Sequence, residues 1–104
     1  MIDDFIRAIR LRQLVELAFF SQEDNAQLTR RCAPMDYGPS RRAKDQSDRF
    51  HVWDYESDVG PHTLSLLPDQ VTGLRVLEEH FDPAEFITWA PIDWFVERDW
   101  GEYS

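Results

Sequence analysis

Apolar residues near the start of the chain recur with helical spacing. Ile2, Phe5, Ile6 and Ile9 fall at i, i+3, i+4 and i+7, which is the repeat of one helix face. Two aspartates precede Phe5, where the helix dipole favours carboxylates. The pattern predicts a short helix over residues 3–12, and its apolar side should cover one side or the open end of a sheet.

The next two apolar segments have the length of strands. Residues 14–20 are nearly all apolar, which predicts a strand buried on both faces. After turn-forming residues at 21–25, residues 27–33 predict a second strand, closed by Pro34 because proline cannot donate to a ladder. Residues 35–47 then predict a long polar connection, and connections of this length are usually functional or mobile.

Period-two alternation predicts a hairpin in the middle of the chain. Residues 49–55 are aromatic and β-prone, and residues 62–67 follow after six turn-forming residues that end in Gly-Pro. A bend at residues 68–70 leads to a fifth strand over residues 71–77. Gly73 lies inside that strand, so we expect a bulge there.

The clearest boundary signal is a helix start at residue 82. In Asp82-Pro83-Ala84-Glu85, aspartate takes the N-cap, proline the first helical position and glutamate the third, a set that satisfies the free backbone amides. Residues 1–104 therefore read as one mainly β domain with flanking short helices. It has five strands over residues 14–77 and a C-terminal helix and tail over residues 82–104. Five short strands favour a small, strongly curved sheet or barrel, since closure removes exposed edges.

The tail, residues 91–104, is aromatic and acidic, and its pattern fits two conformations. Trp94, Val96 and Trp100 alternate as in a strand, whereas Ile92, Phe95 and Val96 fit one helical face. Such rings are too apolar to extend freely into water, so they pack on the domain or on a partner. Trp94, Phe95 and Trp100 are therefore candidates for an interface with a partner protein or a second copy.

Composition places the chain among small globular domains of a reducing compartment. A chain of 104 residues buries enough surface for one core. The single cysteine, Cys32, excludes an internal disulfide, and mid-strand it is expected to be core filler. The start does not resemble a signal peptide, and no apolar run is long enough to span a bilayer. We therefore expect a cytoplasmic protein without membrane contact.

Charge is divided unevenly along the chain, whose net charge is −9. Residues 1–50 carry nine basic and eight acidic side chains, a net of +1, whereas residues 51–104 carry two basic and twelve acidic ones, a net of −10. The acidic half would repel a phosphate backbone. A nucleic-acid ligand is therefore expected at the first half, unless the second half is simply a solvated acidic face.

Basic and aromatic side chains of the central segments form the candidate ligand site. Guanidinium groups grip phosphate, and each base stacked on an exposed ring contributes roughly 1–3 kcal/mol. The competing interpretation is ordinary surface arginine, with Trp53 packed in the core. The candidate ligand-binding residues are Arg31, Arg41, Arg42, Arg49, His51, Trp53 and His62.

Other chemistry finds little support in the sequence. His51, His62 and His80 are too dispersed for a metal motif. The four glycines are isolated, so no phosphate-cradling loop is present. Neighbouring carboxylates such as Glu78 and Glu79 cannot converge on one bond from a strand. We therefore predict no cofactor, no metal and no catalytic residues, and hence not an enzyme.

The order of these segments resembles the WYL domain of bacterial transcription regulators and defence-associated proteins. Over roughly residues 5–87 it runs "RRCAP", "RFHVWDY", "HTLSL", "PDQV" and "EEHFDPAEF". Phe-Asp-Pro-Ala-Glu-Phe directly after the last strand is the most specific part. The resemblance implies a five-stranded SH3- or Sm-like barrel that senses a nucleotide or single-stranded nucleic acid and switches an attached effector.

The resemblance also assigns positions in this chain. Phe50-His51-Val52 stand where the family has Trp-Tyr-Leu, and Arg31 stands at a basic position of the second strand. His62 and Ser65 stand where the family usually carries arginines, and Gln70 lies near another such position. The fourth strand therefore departs from the family pattern, because neither serine nor glutamine grips phosphate as arginine does.

Two functions follow from these observations. The first is a non-catalytic regulatory or sensor module that binds a nucleotide-like or single-stranded nucleic-acid ligand and acts through a partner protein. The second is an acidic protein–protein interaction module that uses the C-terminal half. It would mimic nucleic acid in a basic groove or self-associate through the tail aromatics.

Overall fold

The computed structural model describes residues 1–57 and 60–104 of the chain. Its elements are helix α1 (Ile2–Leu11) and strands β1 (Gln13–Ser21), β2 (Ala26–Pro39), β3 (Asp48–Asp54), β4 (His62–Leu66) and β5 (Val71–His80). Single 3₁₀ turns lie at Pro68–Gln70, Pro83–Glu85 and Gly101–Tyr103. The strands lie in the order β4-β3-β2-β1-β5 with every neighbouring pair antiparallel. The turn predicted between β3 and β4 includes residues 58–59, which lie outside the described residues.

Helix α1 covers the core as the apolar spacing predicts. Phe5, Ala8 and Ile9 are fully buried, and the helix packs on β1, β2 and β5. It ends one residue earlier than predicted, because Arg12 adopts a left-handed conformation with φ 57°. Ile2 lies off the buried stripe and is 39 % exposed.

Strand β2 is twice the length that the sequence suggested, so the predicted connection over residues 35–47 is wrong. Residues 26–32 pair with β1, and residues 32–39 pair with β3. The register shifts between Pro34 and Asp36, which places Met35 in a bulge. Proline is tolerated at a bulge because a ladder bond is already missing there. One bent strand thus joins both halves of the sheet, and the loop shrinks to residues 40–47.

Past Leu14, strand β1 is buried on one face only, which corrects the expectation of two buried faces. Val15, Leu17 and Phe19 point into the core, whereas Phe20 is 38 % exposed. The other face carries an exposed ion pair between Glu16 and Arg75 of β5, because it looks outward to solvent.

Strand β5 carries the bulge that its glycine suggested. Its register with β1 shifts between the Ala18–Gly73 pair and the Phe19–Val71 pair. The strand continues three residues past the predicted end, because Gln13 pairs with His80.

Strand β3 has a fixed register that decides which of its rings face the core. Phe50, Val52 and Asp54 are buried, while Arg49, His51 and Trp53 lie half-buried on the outer side. The ring centroids of Phe5 and Phe50 are 4.9 Å apart in an edge-to-face contact, so α1 and β3 meet in the core.

The segment after β5 begins with the predicted cap but does not continue as a helix. The Asp82 carboxylate accepts the Ala84 amide at 3.0 Å, and the Glu85 carboxylate accepts the Asp82 amide at 3.2 Å. Only one 3₁₀ turn follows. The tail then runs without helix or strand until the turn at Gly101–Tyr103, so neither conformation suggested by its pattern is present.

The tail packs on its own domain. Trp100 is 2 % exposed, and its indole N–H donates to the backbone carbonyl of Ile9 at 2.8 Å. Its ring meets Phe81 at 5.4 Å between centroids. The tail therefore closes over the C-terminal end of α1 and extends the core.

The described residues form a mainly β domain with five antiparallel strands in a small barrel-like sheet, as the sequence predicts, but of the two predicted flanking helices only the N-terminal one is present as an α-helix. The core lies between α1 and the inner sides of β1, β2 and β3. In residues 1–57 and 60–104, no helix combines the length and the apolar character that crossing a membrane requires.

Candidate functional site

A cleft of about 500 Å³ lies on the outer side of β3 and β4. Three parts of the chain form it: the strands themselves, the end of β2 with the loop that follows, and the tail segment that folds over them. The residues that line the cleft include Ser40, Arg41, Arg42, His51, Thr63, Ser65, Trp89, Asp93, Trp94 and Phe95. The cleft thus combines cations, hydroxyl groups and rings.

His51 lies at the base of the cleft with a defined tautomer. Its Nε2 is 2.8 Å from the carbonyl oxygen of Gly38, and its Nδ1 is 2.8 Å from the Ser65 hydroxyl. A carbonyl only accepts, so Nε2 carries the proton and donates to Gly38. In the neutral ring, Nδ1 then accepts from Ser65. Both ring nitrogens are hydrogen-bonded, so the orientation of the His51 ring at the base of the cleft is fixed.

Arg41 is held between the tail and the loop. Its guanidinium carbon is 4.3 Å from the centroid of the Phe95 ring, a cation–π contact. Its Nη2 is 3.3 Å from a carboxylate oxygen of Asp93. The Phe95 side chain also lies so close to Gly38 that a β-carbon there would be 2.5 Å from its Cδ2 atom. Phe95 therefore contacts both Arg41 and Gly38 at the rim of the cleft.

Arg42 has no ion-pair partner among the described residues. It is exposed and lines the same cleft as Thr63 and Ser65, whose side chains lie on the outer face of β4. Trp89 is 42 % exposed, and the centroid of its ring is 6.2 Å from that of Trp94. An uncompensated cation, two hydroxyl groups and an accessible ring can together contact a planar anion.

A buried ion pair holds the tail wall of the cleft in place. Asp36 of β2 accepts the backbone amides of Phe95 at 3.0 Å and Val96 at 2.9 Å. The same carboxylate pairs with Arg98 at 3.0 Å, where the two side chains are 8 % and 0 % exposed. The carboxylate therefore bonds three groups of the tail, which satisfies the condition for burying a charge.

Aromatic rings enclose the guanidinium of that pair. The Arg98 guanidinium carbon lies 4.1 Å from the centroid of Trp94 and 4.4 Å from that of Trp100. The group also donates to the carbonyl oxygens of Val96 and Met35. Burial lowers the pKa of Arg98 to about 10, although Asp36 acts in the opposite direction. The group stays charged at neutral pH.

The structure brings three of the seven predicted ligand-binding residues together. Arg41, Arg42 and His51 line the cleft, whereas Arg31 pairs with Glu79 at 2.6 Å near a different depression. Trp53 stacks on Phe86 at 5.7 Å between centroids.

Two further predicted residues also lie outside the cleft. His62 lies 3.1 Å from the Gly60 carbonyl in a third depression. Arg49 is half-buried, and its Nε has no partner in the described part of the chain. The expectation of a single cluster of seven residues is therefore wrong, because successive outer residues of β3 lie against different parts of the chain.

The three predicted interface aromatics have different surroundings. Trp100 is buried within its own chain, and Trp94 is half-buried with its indole N–H donating to the Tyr103 carbonyl at 2.8 Å. Only Phe95, 45 % exposed, presents a substantial surface. In the folded chain, Trp100 has no surface to offer a partner.

Sequence reasoning missed several residues of the site. Trp89 and Asp93 line the cleft, and Asp36 with Arg98 anchors its wall. Arg98 had one visible signal, since it is the only cation of the tail and lies between two tryptophans in sequence. Asp36 had none, because it was assigned to a polar loop.

The thiol of Cys32 is placed unfavourably for nucleophilic chemistry. Cys32 is fully buried, and burial together with Asp54 and Glu56 raises the pKa of its thiol. A neutral, inaccessible thiol is a core residue, as predicted. Within residues 1–57 and 60–104, no three His, Cys, Asp or Glu side chains converge as metal ligands would.

Fold and cleft together define a small β-barrel-like domain with a cation- and ring-lined groove on its outer face. The same fold occurs in the solved structure of proteasome accessory factor B/C (PafBC) of Arthrobacter aurescens, with a TM-score of 0.60 and 20 % identity. The match covers 86 % of this chain and 13 % of that chain, so this chain spans a small part of the other's length. At this identity the likeness shows the fold alone. No family model and no curated protein matches the chain.

Proposed function

We propose that this domain is a non-catalytic regulatory module of WYL-like type that binds a nucleotide-like or single-stranded nucleic-acid ligand and acts through a partner protein. The convergence of Arg41, Arg42 and His51 with exposed rings in one cleft carries the proposal. The five-stranded fold that the sequence resemblance implies is present, and the solved structure with the same fold is named an accessory factor.

The chemistry of the cleft supports a ligand with one anionic group and a flat ring. Arg42, which has no ion-pair partner within residues 1–57 and 60–104, offers a guanidinium group for phosphate. Trp89 offers a ring face, and base stacking contributes roughly 1–3 kcal/mol per base. Thr63 offers a hydroxyl group that donates or accepts, whereas the Ser65 hydroxyl, which donates to His51, can only accept from a ligand. The buried thiol of Cys32, whose pKa is raised, offers the cleft no accessible nucleophile.

Fluorescence titration tests the proposal directly. Trp89 and Trp94 line the cleft, so an oligothymidylate about six nucleotides long should quench their emission, most strongly at low salt. Arg42→Gln should weaken binding. Arg7→Gln is the matched control, because it removes the same charge from an exposed arginine of α1 that pairs with Asp4. Absence of quenching at micromolar protein in low salt would reject the proposal.

A protein partner is supported by a separate observation, the exposure of Trp89 and Phe95 beside an acidic half of the chain. Truncating the tail cannot test this, since Trp100 and Val96 belong to the core. We propose instead the double variant Trp89→Ser, Phe95→Ser in size-exclusion chromatography and partner-binding assays. Self-association of the normal chain that the double variant loses would favour an interaction module.

A further inference from the structure

Asp93 occupies the position on Arg41 that an anionic ligand would take. Its carboxylate contacts the Arg41 guanidinium at 3.3 Å, and its backbone carbonyl accepts from the same nitrogen at 3.4 Å. Both side chains are largely exposed, at 55 % and 76 %. An exposed pair of this kind is weak and screened by salt. It can therefore open without disturbing the fold.

Contacts of the neighbouring residue Phe95 hold the segment around Asp93 close to Arg41. Two residues further on, the Phe95 amide is bonded to the buried carboxylate of Asp36, and the Phe95 ring is wedged against Gly38. Because these Phe95 contacts anchor the segment, the effective concentration of the Asp93 carboxylate around Arg41 is high. A weak contact thus competes effectively with a ligand in solution.

We propose that Asp93 is a built-in competitor, a carboxylate that stands in for the ligand's anionic group on Arg41 and sets the affinity of the cleft. The inference rests on the proposed ligand function and adds a regulatory device to the same site. The incoming anion displaces the carboxylate of Asp93, while Phe95 stays against Gly38 and keeps the Arg41 guanidinium stacked. Arg42, which has no ion pair among the described residues, makes the first contact.

Asp93→Asn tests the competition, with Glu97→Gln as the matched control. Glu97 is exposed and lies in the same tail, but it does not line the cleft. Its substitution removes the same unit of negative charge. We expect Asp93→Asn to bind the oligothymidylate about two- to fivefold more tightly, from the usual strength of an exposed pair. The gain should disappear in the double variant with Arg41→Gln. If Asp93→Asn binds no more tightly than Glu97→Gln, Asp93 is not a competitor even though the cleft binds.

A second measurement needs no ligand and separates this inference from the proposed function. Iodide, an anionic quencher, should quench the emission of Trp89 and Trp94 more in Asp93→Asn than in Glu97→Gln, because Arg41 becomes free to attract it. Acrylamide, a neutral quencher, should quench both variants equally. Equal iodide quenching in both would overturn the inference. Absence of oligonucleotide binding with greater iodide quenching would reject the proposed ligand and retain the masking of Arg41 by Asp93.

Discussion

Asp36 and Arg98 lie 62 positions apart in the sequence, and their side chains form a buried ion pair with 3.0 Å between Oδ1 and Nη2. The pair joins the bulged middle of β2 to the tail, and the tail supplies one wall of the cleft. Because Asp36 also accepts two tail amides, one carboxylate determines where Phe95 lies. The shape of the cleft therefore depends on a buried contact between β2 and the tail.

Asp36→Asn should destabilise the domain strongly. The substitution leaves the Arg98 guanidinium buried without a countercharge, and breaking one partner of such a pair costs about 3–5 kcal/mol. Urea unfolding measures the loss. Glu16→Gln removes a carboxylate from the exposed pair with Arg75 and should cost about 1 kcal/mol or less. Equal losses in the two variants would show that the buried pair does not hold the tail.

Gly38→Ala should move the tail away from the end of β2. The new β-carbon would lie 2.5 Å from the Phe95 ring, so we expect a loss of about 1–3 kcal/mol from overpacking. Gly73→Ala is the control, since its β-carbon would lie 3.6 Å from that of Ala18, an ordinary contact. Adding Phe95→Ala to Gly38→Ala should restore part of the lost stability. If the double variant is no more stable than Gly38→Ala, the strain does not arise from the contact with the Phe95 ring.

Local patterns in the sequence were sufficient for most of the elements. The apolar spacing around Phe5 predicts α1 to within one residue, and alternation predicts β3 and β4 to within one residue at either end. The capping set at Asp82 marks the turn that follows β5. These signals depend on neighbours a few positions apart, which a sequence displays directly.

The long-range features could not be predicted in this way. Pro34 read as the end of β2, because a bulge that accommodates proline is created by the partner strand and not by local sequence. The assignment of Asp36 to a loop then hid its bond to Arg98. Of the arginines, Arg31 pairs with Glu79 and Arg41 with Asp93. These pairings depend on how the chain folds back on itself, so counting charges along the sequence could not show which arginines have ion-pair partners.

Cys32 should be unreactive toward Ellman's reagent in the native domain. The thiol is fully buried, and burial with Asp54 and Glu56 nearby raises its pKa, so neither access nor thiolate is available. We expect reaction only on unfolding, with a rate that rises with urea concentration. Rapid labelling in buffer, at a rate independent of urea, would show that the middle of β2 opens locally.

Tyr55→Phe should change how stability depends on alkaline pH. Burial, followed by the charge of Glu85, raises the pKa of Tyr55 from 10.0 to about 12. Between these values the unfolded chain releases a phenol proton that the folded chain retains, so this residue's contribution to stability falls as pH rises from about 10 to about 12. Without the phenol, that part of the decline is absent. Arg98, whose lowered pKa acts in the opposite direction, is present in both proteins and cancels in the comparison.

At neutral pH the two proteins should be nearly equal in stability. The Tyr55 hydroxyl is buried without a hydrogen-bond partner among the described residues, so its removal should cost nothing and can add up to about 1 kcal/mol. Urea unfolding at a series of pH values gives the difference, and tyrosinate absorbance follows the titration. If the free energy of unfolding of Tyr55→Phe exceeds that of the normal chain by more and more above pH 10, the raised pKa is confirmed. A difference in the free energy of unfolding that stays constant with pH would mean that the phenol has the same pKa in the folded and unfolded chains.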